Sequence, residues 1–125
     1  MLNQKDAVAT IAVRSLANVR EFYEKTLGLT PVETAERGVI GFKSGGSSVL
    51  VYESQFAGTN KATAATWIVG GDLDAIVDTL RSRGATFEHY DFPGTTLKGD
   101  IHEAGNTRVA WLKDPDGNIL SLVNG

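Results

Sequence analysis

Apolar positions along the chain form two helical stripes, each set among strand-like runs. Leu16, Val19, Phe22, Tyr23 and Leu27 recur at the i, i+3, i+4, i+7 spacing of one helix face, behind Ser15 as a candidate N-cap and ahead of Gly28 as a stop. Leu73, Ile76, Val77 and Leu80 form the second stripe, opened by Asp72 and stopped by Gly84. An offset of 57 carries Leu16 onto Leu73, Val19 onto Ile76 and Tyr23 onto Leu80, and sets strand-like residues 8–13 onto 65–70. An offset of 70 then carries residues 39–43 onto 109–113. Each of these segments runs into a turn signal, Ser44-Gly45-Gly46-Ser47 or Asp114-Pro115-Asp116-Gly117, and then into a β-rich run, 48–53 or 118–123. The 13 residues separating the two offsets fall most naturally in 91–106, which is rich in Gly, Thr and Asp.

The pattern reads as strand–helix–strand–strand–strand written twice, an α+β chain of two tandem βαβββ modules. One domain spans residues 1–125, with modules at 1–58 and 59–125. Composition agrees: 125 residues, 42% apolar and 22% charged, suit one globular domain. Net charge is −3, which argues against nucleic-acid and anionic-membrane partners. There is no cysteine, no apolar run of about 18 residues, and no basic, apolar leader at the start, so a cytoplasmic location is expected.

Two motifs carry a resemblance. Phe22-Tyr23-Glu24-Lys25-Thr26-Leu27-Gly28-Leu29 is similar to the "FY…LG" helix end, and Lys113-Asp114-Pro115-Asp116-Gly117-Asn118-Ile119-Leu120 to the closing "DPDGN" hairpin, of the vicinal-oxygen-chelate superfamily. That superfamily includes glyoxalase I, extradiol dioxygenases, fosfomycin-resistance enzymes and bleomycin-binding proteins. Residues 87–94 and 110–113 look like a large bacterial branch of it. The resemblance implies modules curled into a curved mixed sheet around a cleft, and a homodimer. It also implies, for the enzymes, a divalent metal held on the first and fourth strands of each module.

Counting from the motifs puts Val8, Val51, Ala65 and Ser121 at those ligand positions. None is a strong metal ligand, so no metal and no cofactor are expected. Glu53 is a weak catalytic candidate. His89 and His102, the only imidazoles, read as exposed loop residues. Serine-nucleophile elbows, phosphate loops and cysteine chemistry are absent. Asp72 and Asp74 read as helix-start charges, Asp114 and Asp116 as turn formers.

Strand alternation, with the ligand positions facing inward, gives a largely apolar cleft. Its expected ligand contacts are Phe42, Val51, Glu53, Trp67, Tyr90, Leu112 and Ser121. If the turn pairs Lys113 with Asn118, Ser121 opposes Ala110 and Trp111 points to the helix layer, unless a bulge reverses it. Residues 91–106 read as a lid carrying Phe92 and His102, with Tyr90 at its base. The function expected is metal-independent binding or sequestration of a hydrophobic, aromatic small molecule, as antibiotic-resistance proteins of this type do. The alternative is a divergent lyase, isomerase or dioxygenase with a relocated site.

Overall fold

The computed structural model describes residues 1–32 and 37–125. Short β-rich runs build a first sheet from β1 (Ala9–Val13), β2 (Thr30–Val32), β3 (Val39–Ser44) and β4 (Ser47–Glu53), in the spatial order β1-β4-β3-β2. The second sheet uses β5 (Thr63–Ile68), β6 (Phe87–Glu88), β7 (Thr96–Lys98), β8 (Ile101–Ala104), β9 (Thr107–Lys113) and β10 (Ile119–Val123). Its order is β5-β10-β9-β8-β7, with β6 also paired to β9. In each sheet the first and last strands are parallel, β1 with β4 and β5 with β10, and the remaining pairs are antiparallel. Pro31, which cannot donate to a ladder, sits on the edge strand β2. The two sheets come together where β1 meets β5. This is the expected α+β architecture of paired βαβββ units.

Two details differ from the sequence reading. β5 starts at Thr63 rather than 65 and ends at Ile68, because Gly70–Asp72 are spent on a 3-10 turn into the helix. The extra residues of 91–106 are more than a loop, since β7 and β8 make a hairpin that extends the second sheet.

One face of each sheet is buried by a helix. Helix α1 (Leu16–Glu21) runs on through a wide π-helical turn, Phe22–Thr26, and buries Val19 and Tyr23. Helix α2 (Leu73–Ser82) buries Leu73, Val77 and Leu80. Beneath them Ile11, Val13, Phe42, Val49 and Val51 of the first sheet and Ala110, Leu112, Leu120 and Leu122 of the second join one core. Each large aliphatic side chain so buried stabilises the fold by about 1.5–3 kcal/mol. The cap of α1 comes from across the sheet. Ser15 makes no side-chain capping bond, and the Leu16 amide donates instead to Glu53 Oε2 at 3.1 Å.

The β9–β10 turn ties the two halves together through one buried carboxylate. Asp114 Oδ2 accepts from Tyr23 Oη at 2.7 Å and Asn118 Nδ2 at 2.8 Å, while Oδ1 accepts from the amides of Asp116 and Asn118, both at 2.9 Å. Asn118 Nδ2 also donates to Ala12 O in β1 at 2.8 Å, and the Arg14 amide donates to Asp116 Oδ2 at 2.7 Å. Tyr23 stacks on Phe42 with ring centroids 5.7 Å apart. Burial first, then the facing Asp114 carboxylate, push the Tyr23 phenol far above its ordinary range, so it stays a hydrogen-bond donor. The two motifs that carry the family resemblance are thus opposite ends of one hydrogen bond.

Removing that bond tests the joint. Tyr23→Phe should cost about 1.5–3 kcal/mol in urea unfolding, because it strips a donor from a buried carboxylate and leaves ring packing in place. A second expectation concerns acid. The Arg108 hydrogen bond lowers the carboxyl of Asp74, Lys98 and then Arg108 lower Glu103, and Arg81 and then His89 lower Asp100. Folded pKa values below the unfolded ones mean the stabilisation is complete above the ordinary carboxylate range and lost as pH falls through the depressed values. The urea midpoint should therefore begin to drop below about pH 5 and keep dropping as the depressed values are passed, and drop less in Arg108→Gln, which removes a partner from both Asp74 and Glu103.

Candidate functional site

Register decides which side chains meet a ligand. In the parallel pair β1–β4, Ile11 faces Val51 and Thr10 faces Leu50. Ile11, Val13, Val49 and Val51 therefore share the helix side, and Thr10, Ala12, Leu50 and Tyr52 the outer side. In the second sheet the turn after β9 is one residue longer than its counterpart. Lys113 pairs with Ile119 rather than Asn118, and Ser121 with Trp111 rather than Ala110. A one-residue change exchanges faces along the whole following strand. Leu120 and Leu122 consequently face the helices, and Ser121 faces outward with Trp111.

The outer face of the second sheet carries an aromatic group. Trp111 lies at its centre, with ring centroids 4.8 Å from His102, 5.2 Å from Tyr90 and 5.6 Å from Phe92. The β8 strand places His102 opposite Val109, two positions along β9 from Trp111. His102 is 1% exposed, buried in a strand rather than free in a loop. Its Nε2 accepts from the Tyr90 amide at 2.9 Å, which assigns the proton of the neutral ring to Nδ1. That Nδ1 and the Tyr90 Oη are both buried without a hydrogen-bond partner among the described residues. Burial, and secondarily Glu88, raise the Tyr90 phenol above its ordinary value, so it too remains protonated. Nearby, Thr66 Oγ1 and Ser121 Oγ share a 2.6 Å hydrogen bond. A recess of about 260 Å³ at the β1–β5 junction is lined by Thr10, Tyr52, Phe56 and Asn118 among others.

The expected contact residues separate into four places. Tyr90 and Ser121 lie on this outer face. Phe42 and Val51 do not: both are fully buried under α1, because their strand face is the helix face. Glu53 is at the end of that same face, where it caps α1. Trp67 and Leu112 wall a cavity of about 430 Å³ between α2 and the inner face of the second sheet. Trp67 Nε1 donates to Ser44 Oγ there at 2.9 Å. His89 is exposed and pairs with Asp100 at 2.7 Å. The sequence reading puts His102 on a lid and turns Trp111 to the helix layer unless a bulge intervenes; the extra residue of the turn is the signal that turns Trp111 outward.

The donor set does not suit a divalent metal. The four counted positions do not share a face: Val51 and Ala65 pack toward the core, whereas Ser121 points outward. The outer-face positions nearest them are Thr10, Tyr52, Thr66 and Ser121, whose neutral hydroxyls are weak ligands. Among the described residues no three His, Cys, Asp or Glu side chains are grouped to hold an ion. No helix among them is long and apolar enough to cross a membrane.

Known structures share this fold. The chain is similar to lactoylglutathione lyase from Agrobacterium tumefaciens, at 15% identity over 94% of this chain and 91% of that one, with a TM-score of 0.69. It is similar to the fosfomycin resistance protein FosX from Listeria monocytogenes, at 12% identity, 96% and 92% coverage and a TM-score of 0.70. An integron cassette protein from the mobile metagenome of Halifax Harbour sewage outfall gives 16% identity, 93% and 94% coverage and a TM-score of 0.69. No curated protein matches the sequence. Likenesses this distant show the fold alone. Residues 6–122, however, match the Glyoxalase/Bleomycin resistance protein/Dioxygenase superfamily, and with nearly its whole length inside that match the chain belongs to this superfamily.

Proposed function

We propose that the protein binds a largely hydrophobic, planar aromatic small molecule on the outer face of its second sheet, without a metal ion. The observation that carries this reading is the ring group around Trp111, with the hydroxyls of Thr66 and Ser121 on the strands beside it. Aromatic faces favour flat apolar ligands through offset and edge-on packing. The Thr66–Ser121 hydroxyl pair is the polar point that orients such a ligand.

A second copy of the chain completes the site. Several large apolar side chains lie open around the outer faces, with Ile68 77% exposed, Phe56 68% and Phe92 46%. Members of this superfamily commonly pair, and a homodimer would remove that surface from water. The lyase and fosfomycin-resistance neighbours handle small molecules by their names, and sequestration of a toxic compound is the corresponding role here. His89 and His102 stand with ring centroids 6.1 Å apart, but His89 is paired with Asp100, His102 Nε2 is taken by the Tyr90 amide, and Glu53 is spent on capping α1 in the other sheet, so the three do not converge on one reacting point.

Fluorescence separates the two tryptophans. In Trp67→Phe protein, 2-naphthol should quench Trp111 saturably, with the same affinity before and after EDTA treatment. Trp111→Ala should weaken binding of the same probe about tenfold, by calorimetry, through loss of ring packing. Restoration of binding only by added Ni²⁺, Zn²⁺ or Mn²⁺ would contradict the proposal. In sedimentation the protein should run as a dimer, and Ile68→Arg should shift it to monomer.

A further inference from the structure

The cavity on the opposite side of the second sheet has a different chemistry. Its walls are aliphatic, from Leu27, Ile76, Leu80, Leu112 and Leu122, with Trp67 alongside. At about 430 Å³ it is within the range of small-molecule sites. The two charged residues lining it stand at opposite ends of α2, Asp72 just before Leu73 and Arg83 just after Ser82. At about 1.5 Å per residue that places them some 16 Å apart along the helix.

Arg83 is incompletely used. Its Nη1 donates to the carbonyls of Lys25 and Thr26, each at 3.2 Å, which end the first helix. Among the described residues no carboxylate lies within ion-pair distance of Arg83, and its Nη2 and Nε make no hydrogen bond. A guanidinium held by two backbone acceptors, with one edge unpaired, in the lining of a largely apolar cavity, suits a carboxylate in the fork geometry. Asp72 repels an anion from the far end. The polarity of the cavity therefore sets the direction of a bound molecule as well as its sign.

We propose that this cavity is a second binding site, for a monoanionic amphiphile, its apolar body lying under α2 and its carboxylate on the free edge of Arg83. An aliphatic and an aryl carboxylate share that chemistry. The inference is independent of the outer-face reading, because each site contains its own tryptophan.

The test uses Trp111→Phe protein, in which Trp67 is the sole indole, titrated with decanoate and with 1-decanol below their aggregation limits. Decanoate should perturb Trp67 emission saturably at one molecule per chain and bind more tightly than the alcohol. Arg83→Gln should weaken decanoate about fivefold, the loss of a charge-assisted hydrogen bond, and leave decanol within about twofold. Ala75→Phe, at the cavity wall, should block both probes, and circular dichroism should report both variants folded. Equal affinities for decanoate in wild type and Arg83→Gln would overturn the proposal. So would the same decanoate affinity reported by Trp111 in Trp67→Phe, which would place the probe on the outer face. Benzoate and 2-naphthoate in the same titration show whether the site takes aryl as well as aliphatic carboxylates, and failure of every carboxylate to reach Trp67 would end the inference.

Discussion

The Asp114 carboxylate is the joint on which the arrangement of both sheets depends. It is buried, and four donors satisfy it: the Tyr23 phenol, the Asn118 side chain and two amides of its own turn. A charge taken out of water is tolerated only with such partners, so the turn, the first helix and β1 are constrained together. The same turn fixes how β9 pairs with β10. Its five-residue span from Asp114 to Asn118 aligns Lys113 with Ile119, and from there every side chain of β10 is assigned to a face. Fold and site thus share a single physical origin.

Much of the architecture was legible in the apolar periodicity. Leu16, Val19 and Tyr23 in one stripe and Leu73, Val77 and Leu80 in the other need only the helical repeat, and both helices form where that repeat places them. β1, β3, β4, β5, β9 and β10 lie within two residues of where alternation and turn chemistry, both local signals, place them, whereas β7 and β8 fall in the segment that reads as a lid. Faces were harder. Assigning Val51 and Ser121 to one surface assumed equal turn lengths in the two halves, and the second turn is one residue longer. The extra residue changes parity and turns Trp111 out beside Ser121, whereas Phe42 and Val51 keep the expected register and are in the core because their face of the first sheet is the one that α1 covers. His102 was misread for another reason, since a short hairpin strand between glycines has too few residues to show a period.

Two apolar surfaces on one sheet follow from that parity. The inner one holds Trp67 and Leu112 against α2, with a guanidinium in its lining. The outer one holds Trp111 among three rings, with hydroxyls close by. The two ligands proposed differ accordingly, an oriented anion inside and a flat neutral ring outside. Among the described residues neither brings together three carboxylates or imidazoles that would retain a divalent ion.

The most direct measurement is a nuclear Overhauser spectrum of protein labelled at its aromatic and methyl groups. The register set by Asp114 requires cross-peaks from the Trp111 indole to Tyr90 and His102, and from the Trp67 indole to side chains of α2. Cross-peaks from Trp111 to Ile76 or Leu80 would mean that β9 presents its opposite face, and the assignment of both sites would fail with it.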